Sequence, residues 1–333
     1  MVYNKYIGII GGTGTIGSII VKYLLQLQTH FHVLIGGRRS IKEISMSTFY
    51  NSERLKYNQM NYNNDVELDN FCSQCLLVIN AVGPSFKIND KIALHALRNN
   101  CHYIDIGGYG ILRDLLKPYE KSIEAQKLCF IIGVGWMPGI SGVFSKTIIE
   151  THLNSPENTN FNIYYGAVDN WSYSSTYDLA ASSMGKTRSY VYSHGKEIQV
   201  SPFRYTHHKF FPFIGHKKIC MPSFDEQLTQ LATSLKQIRK ISTFIMLNDY
   251  ISMGKFMFIK IFYKHNLNKA TLMLQDDYQR LVKKENKWGS VICQVSKIEP
   301  ERKIDTFYYL YTKNNLLYTC LLYTSPSPRD AHE

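Results

Sequence analysis

The chain has 333 residues, 44% hydrophobic and 19% charged, which is the composition of an ordinary globular protein long enough for two domains. Its formal net charge is +12, but the basic residues are scattered without a dense stripe, so no nucleic-acid partner is expected. The apolar run from Ile7 leads straight into glycines, so no secretory signal is expected, and the best apolar stretch, Phe244 to Tyr263, is interrupted by Asp249, Lys255 and Lys260, so no integral membrane segment is read.

Tyr6 to Gly11 reads as a buried strand. Gly12, Gly14 and Gly17 follow as G-x-G-x-x-G, and Ile16, Ile19, Ile20, Tyr23, Leu24 and Leu27 then recur at helical spacing. Strand, tight turn and helix form the context this fingerprint needs to hold a dinucleotide. Gly12 is expected to permit the turn, Gly14 to let backbone approach a pyrophosphate, and Gly17 to let the helix pack closely on the strand. The cofactor contacts expected here are Gly12, Thr13, Gly14, Thr15, Ile16 and Gly17, with the helix N-terminus facing the anion.

Phe31 to Ile35 reads as the second strand, followed by GGRRS. Arg38 and Arg39 stand where an NAD enzyme usually has an acid for the ribose hydroxyls. Guanidinium groups grip a 2′-phosphate instead, so NADP is expected over NAD. Cys72 and Cys75 form a lone CxxC without a second pair, so no metal is expected, and the scattered cysteines suit a reducing, cytoplasmic compartment.

Leu76 to Ser85 reads as an apolar strand whose end, Ala81, Val82, Gly83 and Pro84, joins the cofactor set. Ile88 to Leu97 reads as a helix, Cys101 to Gly108 as a strand, Leu112 to Leu128 as helical with a break near Pro118, and Cys129 to Gly135 as a strand. This alternation predicts an α/β fold with an N-terminal Rossmann-like, doubly wound parallel sheet over residues 1–135. Ligands in such sheets sit at the carboxyl ends of the strands, where Gly83, Pro84, Asp105 and Trp136 fall. Tyr103 and Asp105, two strand residues apart, point to one face there and are the candidate catalytic residues.

From Phe161 the texture becomes strand-like with alternating aromatic and polar residues, Ser175 to Met184 reads as a helix, and Ile304 to Leu317 as strands around TKNN. An α+β domain is therefore expected over residues 136–319. Trp136, Tyr173, Tyr177 and Asp178 are candidates to line a substrate cleft, with core packing the alternative for each. His207, His208 and His216 read as a solvated loop. Three Tyr-x-x-x-Lys matches, Tyr192/Lys196, Tyr205/Lys209 and Tyr309/Lys313, read as non-helical, which argues against a short-chain dehydrogenase.

INAVGP, HYIDIGG and GVGWMPGIS, in that order after the glycine fingerprint, resemble the saccharopine dehydrogenase (saccharopine reductase) family over about residues 6 to 152. Met137 stands where the family has Asp before the proline, and Ser141 and Gly142 stand where it has Asp-His. The resemblance implies an NADP-dependent oxidoreductase that transfers hydride to or from an imine, amino-acid-type or related carbonyl substrate. It also implies that the α+β domain over residues 136–319 is the substrate and dimerisation domain, with a homodimer among the expected assemblies. The alternative reading is a non-catalytic NADP-binding regulator or scaffold, since fold alone does not prove function. Cys320 to Asp330 matches what one frame of a common transposase sequencing adapter encodes. Residues 320–333 are therefore expected to be a non-native tail, with the natural chain continuing past Thr319.

Overall fold

Alternating buried strands and apolar-faced helices build the first part of the chain into a parallel sheet. In the computed structural model the described residues are 5–27, 30–40, 52–108, 110–152, 159–184, 189–194, 196–223, 226–234 and 238–313. The expected tail at 320–333 lies outside them. One compact unit ends at Gly139 and a second begins at Ile140.

The first unit runs β1 (Tyr6–Ile10), α1 (Thr15–Gln26), β2 (Val33–Gly37), β3 (Leu55–Gln59), α2 (Asp65–Cys72), β4 (Cys75–Asn80), α3 (Ser85–Ile88), α4 (Lys91–Arg98), β5 (His102–Asp105), α5 (Gly110–Leu116), α6 (Glu120–Ala125) and β6 (Phe130–Ile131). The strands are all parallel, in the order β3-β2-β1-β4-β5-β6. This is the order of a dinucleotide-binding sheet, with its switch point between β1 and β4. Alternate residues of each strand feed two cores. Ile9, Val33, Ile35 and Ile79 pack with Ile20 and Val21 of α1 on one face. Ile10, Leu34 and Val78 pack with Phe71, Ile92 and Tyr103 on the other. Both faces are buried, so the strands read as apolar runs.

Local chemistry sets the helix ends. Asn64 caps α2 by accepting from Val66 N at 3.1 Å and from Glu67 N at 3.4 Å, and Glu67 reaches back to Asn61 N at 2.7 Å. Cys72, Cys75 and Cys101 are buried together, with Cys101 Sγ donating to the carbonyls of Cys72 and Cys75. Burial pushes the Cys75 thiol up to about 12 and that of Cys101 up to about 11, so they behave as small apolar core residues.

Several elements differ from expectation, among them the strand expected at Cys129 to Gly135, which spans only Phe130–Ile131. The second strand starts at Val33 and extends through Gly37, because its pairing with β1 covers Val33 to Gly36. The single helix expected at Ile88 to Leu97 divides at Asn89, where φ is 51°. The polar edge strand β3 was not anticipated, because only one of its sides is paired and its sequence LKYNQ has no long apolar run.

The second unit runs α7 (Ile140–Thr151), β7 (Thr159–Val168), α8 (Tyr173–Met184), β8 (Ser189–Ser193), β9 (Lys196–Val200), α9 (Pro202–Tyr205), β10 (His207–Phe211), β11 (His216–Pro222), α10 (Glu226–Ser234), β12 (Lys240–Leu247), α11 (Tyr250–Phe262), α12 (Leu267–Lys284), β13 (Trp288–Ile298) and β14 (Lys303–Thr312). Its mixed sheet has the order β10-β11-β12-β7-β13-β14, with β8 also on β12 and β9 on β8. Only the β7–β12 pair is parallel. The sheet rolls until its two ends meet: Lys209 of β10 bonds Gln294 of β13 at 2.6 Å, and Phe213 stacks on Tyr309 of β14 at 4.2 Å.

Several expectations change here. His207 and His208 lie on β10 and His216 opens β11, so they form a hairpin instead of a loop. Phe244 to Tyr263 is the end of one strand and then a helix, separated by Asp249, which caps α11 by accepting from Ser252 N at 2.9 Å. Among the described residues no helix is long and apolar enough to cross a membrane. In the three Tyr-x-x-x-Lys matches the tyrosines lie on β8, on the short α9 and on β14, so none forms the helical pair a short-chain dehydrogenase requires.

Asp249 also ties α11 to α12. Its carboxylate receives Arg280 through Nη1 at 2.7 Å and Nη2 at 2.9 Å. Burial pushes this carboxyl upward, but hydrogen bonds from Arg280 and Ser252 outweigh it and hold it well below the usual carboxylate range. Folding is therefore favoured above the unfolded carboxylate value of 3.8, and that contribution is lost as pH falls below it. Arg280→Met should lower stability at pH 7 by about 1–3 kcal/mol, because the pair is only partly buried. It should also remove part of the acid-induced loss below about pH 4. Urea unfolding followed at neutral and acid pH measures both effects.

Candidate cofactor-binding site

Three strand ends meet at the switch point, and each brings a different piece of backbone to it. After β1 the chain turns through Gly11, whose φ of +84° favours glycine. This is the conformational freedom expected of Gly12. Gly12 instead lacks a side chain because a Cβ there would lie 2.7 Å from Ile35 Cγ2. At Gly17 a Cβ would run into the carbonyl oxygen of Gly11 and lie 2.8 Å from Gly12 Cα. The start of α1 therefore packs on the turn's backbone rather than on the strand.

Gly14 N donates to Gly11 O at 2.9 Å, and Gly11 N to Gly36 O at 2.8 Å, fixing the turn to β2. Gly14 precedes α1 with extended backbone, no side chain caps the helix, and no acid stands in its first turn. The first turn of a helix presents N–H groups without intrahelical partners and a partial positive charge. Thr15, Ile16 and Gly17 form that turn, with Thr13 and Gly14 before it. Such a helix start suits an anion of the kind a pyrophosphate provides.

At the end of β2, Gly37 faces Thr13: a Cβ on Gly37 would lie 3.5 Å from Thr13 Oγ1 and 3.2 Å from Tyr57 Oη. Tyr57, on β3, shares its hydroxyl between the carbonyls of Gly37 at 3.0 Å and Arg39 at 2.5 Å. Gln59 Nε2 donates to Arg38 O at 3.3 Å. The backbone of the arginine pair is thus pinned while both side chains are exposed. Among the described residues no ion pair engages either guanidinium, and no acid follows β2 up to Ser40. The chemistry suits a phosphate-bearing ribose and not a bare diol.

At the end of β4, Ala81 N donates to Ile10 O at 2.9 Å, and Val82 N donates to Asn80 Oδ1 at 3.0 Å. A Cβ on Gly11 would lie 2.9 Å from Ala81 O, so the two strand ends are in close approach. Gly83 and Pro84, joined by a cis peptide, lead into α3. The structure thereby brings Gly12–Gly17, Arg38, Arg39 and Ala81–Pro84 to one edge of the sheet.

Tyr103 and Asp105 on β5 are both buried. Asp105 Oδ2 accepts from Tyr103 Oη at 2.6 Å and from Asn80 Nδ2 at 2.8 Å, and its Oδ1 accepts from Gly107 N at 2.8 Å. Burial pushes the carboxyl upward, against the three hydrogen bonds. Beside this cluster lies a small cavity lined by Asn80, Ser85, Phe86, Asp105, Gly108 and Leu112.

The remaining candidates are divided. Trp136 is half-buried in the first unit, in a turn closed by Gly135 N donating to Pro138 O at 3.0 Å. Tyr173, Tyr177 and Asp178 lie on α8 in the second unit. Tyr173 Oη donates to Asn268 Oδ1 of α12 at 2.8 Å, its ring is 6.1 Å from that of Tyr177, and Tyr177 and Asp178 are buried. Among the described residues no group of three or more His, Cys, Asp or Glu is placed to hold a metal. Sequence reasoning missed Gly11, Tyr57 and Asn80. The signal for Asn80 was present: it is a polar residue ending an otherwise apolar strand.

Residues 7–129 match the family model described as the Saccharopine dehydrogenase NADP binding domain. No curated protein matches the chain. Among solved structures the chain is similar to apo histidine-tagged saccharopine dehydrogenase (L-Glu forming) from Saccharomyces cerevisiae. The TM-score is 0.63 and the identity 13%, over 96% of this chain and 89% of that one. That likeness shows the fold. An engineered D-amino acid dehydrogenase bound to NADP+ aligns at TM-score 0.46 and 10% identity, over 95% of this chain and 86% of its own. That score is too low to bear on function.

Two substitutions test this geometry. Gly17→Ala should force α1 away from the turn and weaken NADPH binding at least tenfold, about 1.4 kcal/mol, by fluorescence titration. Asp105→Asn should lower stability by about 1–3 kcal/mol in urea unfolding, because its amide nitrogen would face a donor at either position.

Proposed function

We propose that the chain, whose residues 7–129 match the saccharopine dehydrogenase NADP binding domain, is an NAD(P)-dependent oxidoreductase that transfers hydride to or from an imine, amino-acid-type or related carbonyl substrate. The observation that carries this reading is the uncapped start of α1 beside an arginine pair with no acid at the end of β2. In this reading the N–H groups of Thr15, Ile16 and Gly17 bind the pyrophosphate and Arg38 and Arg39 bind the 2′-phosphate. The backbone of Ala81 to Pro84 lies alongside. The bound cofactor supplies or accepts the hydride, and the protein supplies position and exclusion of water.

Tyr103 and Asp105 act here as positioning residues. Asp105 holds the Asn80 amide, and the Asn80 oxygen holds the N–H of Val82. The strand end against the cofactor is thereby fixed through side chains that do not touch it. Trp136 is the aromatic proposed on the substrate side. Tyr173, Tyr177 and Asp178 are assigned to packing between α8 and α12.

A second reading, a non-catalytic NADP-binding regulator, draws on the same cluster, because the Tyr103 hydroxyl is already committed to Asp105. The two readings are separated by incubating the full chain with NADPH and pools of amino acids plus 2-oxo acids while following nicotinamide absorbance. Turnover supports the enzyme, and tight binding without turnover across the pools supports the regulator.

Replacing Arg38 and Arg39 together by Ala should weaken NADPH binding roughly tenfold to hundredfold while sparing NADH, since a charge-assisted hydrogen bond contributes about 1.5–3 kcal/mol. Equal affinity of the unaltered protein for both cofactors, measured by calorimetric titration, would overturn the assignment of the pair.

A further inference from the structure

Helix α11 carries two apolar faces. Ser252, Phe256 and Ile259 are buried, and Phe256 and Ile259 pack with Leu274 of α12. Ile251, Gly254, Phe258, Ile261 and Phe262 fall on the opposite side at helical spacing and are exposed, Ile261 and Phe262 each by 65%. A surface helix of a globular protein ordinarily carries polar residues there. The Phe258 and Phe262 rings lie 4.5 Å apart and form an aromatic ridge. Leu272, 59% exposed, extends the apolar surface onto α12. It lies one turn before Asp276, whose carboxylate pairs with Lys255 of α11 at 2.7 Å.

Along the hairpin tip the charge has one sign, and the acids beside it, Asp276 and Asp277, are paired with Lys255. Residues 258–272, FIKIFYKHNLNKATL, contain Lys260, Lys264, His265 and Lys269 and no acid. Lys260 and Lys269 lie over the rings of Phe256 and Tyr263, at 5.0 and 6.0 Å. Among the described residues no ion pair engages Lys260, Lys264 or Lys269, whereas Lys255 and Arg280 nearby are paired with Asp276, Asp277 and Asp249. Lys264 and Lys269 are exposed.

We infer that the tip of the α11–α12 hairpin docks on an anionic lipid surface, with Phe258, Ile261 and Phe262 entering the headgroup region and Lys264 and Lys269 meeting lipid phosphates. Exposed aromatic and aliphatic side chains beside unpaired cations are what such a surface recognises, and each half is too weak to hold a protein alone. The apolar stripe is too short to span a bilayer, so attachment is peripheral.

The test is co-flotation of the full-length protein with phosphatidylcholine vesicles, either pure or containing roughly one part in three phosphatidylserine. Binding to the anionic vesicles, weakened by salt, is expected, with little binding to the neutral ones. Phe258→Ser/Ile261→Ser/Phe262→Ser should weaken it at least tenfold, and Lys264→Glu/Lys269→Glu roughly tenfold to hundredfold, while both variants keep wild-type NADPH affinity. The inference is overturned if the folded protein ignores anionic vesicles or if the serine variant binds them unchanged. It is equally overturned if sedimentation shows that the ridge holds a dimer which the serine variant dissociates. Because NADPH titration is read on the same samples, a failure of the cofactor assignment is seen separately.

Discussion

The first unit depends on one close approach, that of α1 to the turn before it. The carbonyl of Gly11 occupies the space that any side chain at Gly17 would need. Because the helix can start there, its first turn stands at the edge of β1, with no side chain capping it. Gly11 in turn is held by Gly36 on one side and lies against Ala81 on the other. The same few backbone atoms therefore set the spacing of β1, β2 and β4 and the shape of the crevice at their ends.

The neighbouring strand end is organised differently, by buried polar groups. A carboxylate as enclosed as Asp105 is tolerated only with its oxygens satisfied, and Tyr103, Asn80 and Gly107 do so. The arrangement links β4 and β5 by side chains as well as by the ladder. It also spends the hydroxyl of Tyr103 on structure, which is why a residue placed at the cofactor edge by strand spacing serves as a brace in the reading offered here.

The second unit solves another problem. Its sheet runs from the short β10 at one end to the long β13 and β14 at the other. Rolling brings Lys209 and Phe213 from one end against Gln294 and Tyr309 near the other, so the aromatic interior of Tyr164, Phe211, Phe244 and Trp288 is enclosed by the sheet itself. Helices need cover less of that face. The outer side of α11 is left with an apolar stripe that no described residue of the chain covers.

Local patterns were sufficient for much of this. Glycine spacing after an apolar strand, the helical recurrence of Ile16 to Leu27 and the alternation of strands with helices determined the doubly wound sheet and the residues at its edge. The Arg38–Arg39 pair without an acid pointed to a phosphorylated cofactor. Each of these signals lies within one or two turns of chain, and residues buried on both faces advertise themselves as continuous apolar runs. Only tertiary structure decided the rest. Edge strands such as β3 and β10 bury one side of a few residues, so their sequences resemble loops and reveal themselves only through a partner strand. Gly11 takes the left-handed turn, and Gly12 is required for a different reason, because Ile35, on another strand, fills the space beside it. Asp105 is enclosed in a hydrogen-bonded cluster because Asn80, from the adjacent strand, is within 2.8 Å. Burial, register and the sharing of hydrogen bonds are properties of contacts between segments distant in sequence, and no window along the chain contains them.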